Sequence, residues 1–248
     1  MKAPRPSLVV IAALAGLTAC TPAPAPQGIN DPDEAANREV HALNLAIDTA
    51  VLRPVASAVR SEGPPGPLAR VIGNFADNLD EPRRVVNSLL QLRIANAGEN
   101  ALRFVVNTTF GLGGVLDPAG ALGLNGKDTD FGETLHVWGV GEGTYVELPV
   151  FGPSTSRDAF GMAVDYAINP VRILLDPPES YVATAAGAAS RIGDRGRYSN
   201  TVDSILYDSA DSYAQARLLY LQNRRFQLGQ TGDDDAAFED PYEDPYAQ

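Results

Sequence analysis

Leu68-Ala69-Arg70-Val71-Ile72-Gly73-Asn74-Phe75-Ala76-Asp77-Asn78-Leu79-Asp80-Glu81-Pro82-Arg83-Arg84-Val85-Val86-Asn87-Ser88-Leu89-Leu90 decides the fold class. Leu68, Val71, Ile72, Phe75 and Leu79 recur by threes and fours, the repeat of one face of an amphipathic α-helix. Pro82 then offers a proline in a first turn, where its missing N–H costs nothing, and Val85, Val86, Leu89 and Leu90 fall on one side of the turns after it. The spacing predicts two successive amphipathic helices, the second starting at Pro82, in a mainly α chain.

The same repeat extends in both directions. Asn30-Asp31-Pro32 reads as a helix start with Asp31 as cap, and Leu43, Ile47, Ala50 and Val51 carry that helix to about Arg53, where Pro54 should kink or end it. Gly98, Leu102, Val105, Val106 and Thr109 mark another helix. From Gly111 to Gly143 ten glycines and Pro118 replace the periodicity, which predicts loops and turns. Two readings of that glycine density stay open: turns that need positive φ, or a mobile hairpin hinged at Gly111, Gly113 and Gly114. Thr144 to Phe151 reads as a short extended segment ending at Gly152-Pro153-Ser154. Asp158 to Leu175 is the most apolar run after the N-terminal region, yet Asp165, Asn169, Pro170 and Arg172 interrupt it. It therefore predicts a kinked helix, in the core or lying in a membrane surface, rather than a span. Tyr181 to Ile192 should be helical, and Asn200 to Phe226 one long final helix. Little β structure is expected.

The N-terminal residues have the form of a secretory leader. Lys2 and Arg5 precede the apolar Leu8 to Leu17, too short to cross a bilayer, and Leu17-Thr18-Ala19-Cys20 ends in the only cysteine of the chain. That form predicts removal of residues 1–19 and lipidation at Cys20, followed by a Pro-rich tether over 20–29. Thr21 stands where an Asp would favour retention at the inner membrane, so the outer membrane is the expected destination. Residues 30–230 form the expected single folded domain. Residues 231–248 hold seven acidic and no basic residues and read as a disordered tail. With one cysteine, no intrachain disulfide can staple the fold. A net charge of −12 argues against nucleic acid as a partner, and against membrane attachment by charge rather than by apolar faces.

Catalytic patterns are sparse. His41 and His136 lack the neighbouring ligands of a zinc motif, so no metal or other cofactor is expected. There is no Gly-x-Ser-x-Gly elbow; Ser154 and Ser156 read as caps for the following helix. Asp117, Asp128, Asp130 and Glu133 could supply an acid and a base, but turn and cap roles suit them better. Gly139-x-Gly141-x-Gly143 leads into an extended segment rather than a helix N-terminus, which removes the basis for a phosphate loop.

An ordered set of short motifs carries more information. It comprises Asn30-Asp31-Pro32-x-Glu34-x-x-Asn37-Arg38, Asn74-Phe75-x-x-Asn78-Leu79-x-Glu81-Pro82, Asn87-x-x-Leu90-Gln91, Arg103-Phe104-x-x-Asn107-Thr108 and Gly111-x-Gly113-Gly114-x-x-Asp117. Phe131-Gly132-x-Thr134-Leu135 and Gly139-x-Gly141-x-Gly143-x-Tyr145-x-x-Leu148-Pro149-x-x-Gly152-x-Ser154-x-x-Arg157-Asp158 complete it. Together, over about Asn30 to Leu228, they resemble the VacJ/MlaA family of outer-membrane lipoproteins.

The resemblance implies a ring-like helical protein, not an enzyme, seated in the periplasmic leaflet of the outer membrane around an amphipathic channel. It implies removal of phospholipid misplaced in the outer leaflet, delivery to a soluble periplasmic carrier protein, and association with a trimeric porin. Arg157, Asp158, Asp165 and Arg172 are then the candidates for the polar side of the lipid path, and Gly111 to Gly126 for a hairpin at its edge. A structural, porin-bound lipoprotein that moves no lipid, and an envelope hydrolase using Asp117 to Glu133, are the competing readings. Two departures stand out: Val40-His41-Ala42-Leu43-Asn44-Leu45 lacks the aromatics of many relatives, and Glu142 stands where an aromatic is common.

Overall fold

The computed structural model describes residues 22–24, 26, 28–58 and 66–230. The leader, Cys20 and the acidic tail lie outside the described residues.

Helix α1 (Glu34–Ile47) runs through a wide turn, Asp48–Leu52, into α2 (Arg53–Ala58). The Arg53 amide bonds five residues back, to the Asp48 carbonyl, so the turn ahead of Pro54 takes up the adjustment and the helical path continues to Ala58 instead of ending. Asp31 does not cap α1, because its carboxylate is taken by the Asn37 amide (2.9 Å), the Tyr213 hydroxyl (2.5 Å) and Arg217.

Pro82 does not begin a helix either. It lies inside α3 (Pro67–Leu90), one element of 24 residues. An interior proline costs about 3 kcal/mol. Here the residues on both sides of it, Asn78 and Glu81 before and Asn87 and Ser88 after, are all buried against neighbouring elements. Packing on both flanks holds the two halves in one line.

Helix α4 (Ile94–Thr109) returns along α3. The glycine-rich window is more regular than its composition predicts. Asp117 caps a short α5 (Pro118–Ala121), and Asp130 caps α6 (Phe131–Val137), accepting from the Glu133 amide at 2.8 Å. Next comes an antiparallel hairpin of β1 (Tyr145–Leu148) and β2 (Gly152–Thr155), with Tyr145 opposite Thr155 and Leu148 opposite Gly152. Helix α7 (Ser156–Ile168) is capped by Thr155, which accepts from the Asp158 amide at 3.2 Å; neither Ser154 nor Ser156 does so. The expected kink falls at Asn169-Pro170, before α8 (Pro170–Leu174). Helix α9 (Val182–Arg197) comes after it. The final helix is two, α10 (Ser199–Leu206) and α11 (Ser212–Gln227), because the Asp211 side chain caps the second by accepting from the Ala214 amide at 3.1 Å.

These elements pack in a closed circuit. Helix α1 meets the hairpin, the hairpin α7, α7 α6, α6 α3, α3 α9, and α9 α2, which is continuous with α1. The fold is a single, mainly helical, ring-like arrangement with one two-stranded sheet among the described residues.

Candidate functional site

Helices α1, α3, α4 and α7 bury mostly polar side chains and expose apolar ones. In α4 the buried side chains are Ala97, Asn100, Arg103 and Asn107, at helical spacing, while Ile94, Leu102 and Val105 face outward. In α7, Arg157, Asp158, Gly161 and Asp165 are buried, and Phe160 and Tyr166 are more than half exposed. Glu81, Asn87, Asn100 and Thr134 have no exposed surface at all, whereas Leu174 is 81% exposed, Phe110 76% and Leu92 74%. Large aliphatic side chains contribute little to the interior, where Leu221 is the only one below 9% exposure among the described residues. A protein dissolved in water does the reverse, since each buried aliphatic side chain stabilises it by about 2 kcal/mol. Lipid tails are as apolar as leucine, so in their presence elements are held by polar contacts inside and apolar side chains face out.

The polar interior has four connected parts. The first straps the Gly111 to Lys127 segment onto α3 and α4. The Asn78 amide donates to Thr108 Oγ1 (3.1 Å) and the Gly113 carbonyl (3.2 Å). Asn107 donates to Asp117 (2.8 Å) and accepts from the Ala119 amide (3.0 Å), and Asn100 and Lys127 exchange two bonds (2.9 and 2.7 Å). Glu81 accepts from Arg103 (2.8 Å) and Arg84 (3.4 Å); burial pushes its carboxyl above the usual range even against those two cations. Gly111, Gly113 and Gly114, the expected hinge positions, sit in this strap. Gly113 and Gly114 have φ of 75° and 97°, and a Cβ on Gly114 would lie 2.5 Å from that of Asn78. Positive φ at Gly113 and Gly114 fits the turn reading of the glycine density.

The second part joins α3, α6 and α7. Asn87 donates to Asp165 (2.7 Å) and accepts from Thr134 (3.0 Å), Gln91 donates to Thr129 and Thr134 (2.7 and 2.9 Å), and Asp165 also accepts from the Phe131 amide (2.9 Å) and Arg83 (3.3 Å). Desolvation raises the Asp165 pKa. The third is built on Asp158, which accepts from Thr155 (3.0 Å), Arg157 (3.0 Å), Tyr220 (2.9 Å) and Arg224 (3.1 Å). Burial alone would raise this carboxyl, but the two guanidiniums hold it at about 2. The fourth ties α1 to the hairpin and α11 through His41, Asn44 and Glu147, with Ser212 on the far side of His41.

Of the four expected polar residues, the structure therefore brings Arg157 and Asp158 together in one cluster and places Asp165 in the adjoining one. Arg172 stands apart on α8, its guanidinium 3.3 Å from the centroid of the Tyr166 ring, with Nε and one terminal nitrogen making no hydrogen bond. The carboxylates of the hydrolase reading go to separate partners: Asp117 to its cap and Asn107, Asp128 to Arg84, Asp130 to its cap and Arg224, and Glu133 to Arg93. His136 is buried away from His41, and no group of three or more metal-ligating side chains occurs among the described residues. No described helix is long and apolar enough to cross a membrane. Glu142 meets Arg225 at 2.6 Å, which supplies the partner its charge requires.

Asn87, Gln91, Thr134 and Arg224 join the site although the sequence did not single them out as candidates. The first three stand in the family-like motifs, and polar residues at helical spacing were the signal available for them.

The profile of the MlaA lipoprotein family matches residues 29–227. The chain is 36% identical over 204 residues to the intermembrane phospholipid transport system lipoprotein MlaA of Shigella flexneri, spanning 81% of this chain and 79% of that one. Its counterpart in Haemophilus influenzae is 34% identical over 203 residues, 80% and 79% of the two chains. A solved structure described as "Structural basis for maintenance of bacterial outer membrane lipid asymmetry" superposes with a TM-score of 0.64 at 33% identity, covering 80% of this chain and 98% of that one.

Proposed function

The chain belongs to the MlaA lipoprotein family, an outer-membrane lipoprotein family associated with lipid asymmetry, and from that premise we propose that it removes phospholipid misplaced in the outer leaflet and passes it to a soluble periplasmic carrier. Cys20 carries the acyl anchor, and the body sits in the periplasmic leaflet beside a trimeric porin. The observation that carries this reading is the inversion of polarity: buried Asn, Glu, Arg and Asp inside, exposed Leu, Phe, Val and Ile outside. An apolar exterior suits a ring set among acyl chains, and a polar interior suits headgroups drawn past it. Nothing in the arrangement requires a reacting group, and the protein acts as a lipid conduit.

Within this proposal the four polar residues divide their work. Arg157, Asp158 and Asp165 hold α7 against α6, α11 and α3, fixing the wall of the lipid path. Arg172, two of whose guanidinium nitrogens are buried beside Tyr166 with no partner in the protein, meets the phosphate of a passing lipid once the Tyr166 ring moves aside. The strap from Gly111 to Gly126 forms the edge of the path and moves about its glycines.

The test is purification of the lipidated protein from native membranes with quantification of retained phospholipid. Stoichiometric phospholipid in the wild type, and loss of at least half of it in Arg172→Ala, supports the conduit. Capture of a porin with no phospholipid supports the purely structural reading instead.

A further inference from the structure

The chain just after Cys20 is expected to be a Pro-rich, extended tether, and its described residues are seated. The Ala23 amide donates to the His136 carbonyl at the end of α6 (3.2 Å). The Gln230 side chain, beyond α11, donates to the carbonyls of Ala23 (3.2 Å) and Pro24 (3.1 Å). Ala23 is buried, as are His136 and Gln230. Pro22 and Ala23 form one wall of a cleft of about 520 Å³ whose other walls include Arg93, Glu133, Val137 and Leu228. Farther on, Arg225 donates to the Gly28 carbonyl (2.7 Å), and the Tyr145 amide to that of Asn30 (2.7 Å).

Three residue steps separate Cys20 from Ala23, so the anchor's Cα lies within about 11 Å of the seat. The same edge of the body carries an exposed apolar group. Leu89, Leu90, Leu92 and Ile94 form the turn between α3 and α4, and Trp138, at the end of α6, donates its indole N–H to the Leu90 carbonyl (3.1 Å). Arg93 in that turn pairs with Glu133 on the cleft wall, tying turn and seat together. A tryptophan with its polar edge satisfied and its ring partly exposed beside aliphatic side chains suits a membrane interface.

We propose that residues 22–24 are a bracket rather than a leash: docked between α6 and the residues after α11, they fix the acyl chains of Cys20 beside the α3–α4 turn and Trp138. Anchor and turn then enter one leaflet as a single docking element, and the anchor sets the tilt of the body as well as its address. This deepens the reading of Cys20 as lipidated and rests on it. The partner is a phospholipid bilayer.

Position, not total length, is what the bracket predicts. Ten Gly/Ser residues inserted between Thr21 and Pro22 would lengthen the free reach by about 17 Å. The same ten inserted between Gln27 and Gly28 leave the seat and the anchor in place. Trp138 is the only tryptophan, so its fluorescence reports directly when the full-length lipidated protein is placed in phosphatidylethanolamine/phosphatidylglycerol vesicles with brominated acyl chains.

The downstream insertion should be quenched like the wild type, and the upstream insertion at least two-fold less. Gln230→Ala, which removes both side-chain bonds to the segment, should fall toward the upstream insertion. Equal quenching in wild type and both insertions, or equal loss in both, overturns the bracket. Because quenching reports seating and not lipid movement, the bracket can stand while transport fails. A wild-type pattern of quenching with normal leaflet composition in a deletion strain would refute the transport reading alone.

Discussion

Replacing Asp158 by Asn tests whether the interior is held by charge. Asp158 sits between Arg157, whose side chain is 1% exposed, and Arg224, whose side chain is 13% exposed, so the substitution leaves two largely buried guanidiniums with one counter-charge fewer. Removing one partner from a buried pair costs about 3–5 kcal/mol. Titration of the same contacts accounts for a smaller part: lowering the carboxyl from 3.8 to about 2 is worth about 2 kcal/mol at neutral pH. Because the folded pKa is depressed, this stability is fully present above the unfolded value near 4 and is lost as pH falls through the folded value near 2. The assay is thermal unfolding of the lipidated protein in detergent, followed by circular dichroism at pH 7, 5, 4 and 3. Asp158→Asn should melt about 6–20 °C lower at pH 7, given about 3–5 kcal/mol and about 2–4 °C per kcal/mol for a domain of this size. The gap should narrow as the pH drops below 4. Equal melting at pH 7, or a gap that widens with acid, would refute the argument.

Gly114→Ala should cost about 2 kcal/mol or more, because a φ of 97° penalises any Cβ and the Asn78 side chain occupies its place; the same unfolding assay reads it, and Asn78→Gly in the same chain should recover part of the loss. Leu92→Glu places a charge on the apolar turn and should weaken vesicle binding of the non-lipidated protein at least ten-fold by flotation, while Asp128→Asn, on an exposed pair, should leave it unchanged. Asn87→Leu removes the Asp165 and Thr134 bonds and leaves a buried carboxylate short of a donor, so it should destabilise by about 2 kcal/mol despite adding apolar volume; a gain in stability would argue for an ordinary apolar core.

Helix positions were legible because three- and four-residue spacing survives whatever solvent lies outside. Which side of each stripe faces inward was not: Leu102 and Val105 satisfy the periodicity equally well against a core or against acyl chains, and only the buried Asn100 and Arg103 decide between them. Pro82 misled as a helix start because proline is favourable at N1 and costly mid-helix, whereas the burial of Asn78, Glu81, Asn87 and Ser88 on both sides of it, which offsets that cost, is a tertiary fact. The break between α10 and α11 was hidden because Leu206 and Tyr213 keep the helical interval across it; the Asp211 cap was its local sign. Arg157 and Asp158 were identifiable from the motif, but the second cation on Asp158, Arg224, lies 66 residues away and only folding joins them. The seat of residues 22–24 had no sequence signal, since Gln230 is one glutamine past a helix end.

The central claim, that this protein keeps phospholipid out of the outer leaflet, is read most directly by labelling intact cells with a membrane-impermeant amine reagent and measuring modified phosphatidylethanolamine. Deletion of the gene should raise the labelled fraction, the wild-type gene should restore it, and Cys20→Ala should not. A labelled fraction unchanged by deletion would contradict the account.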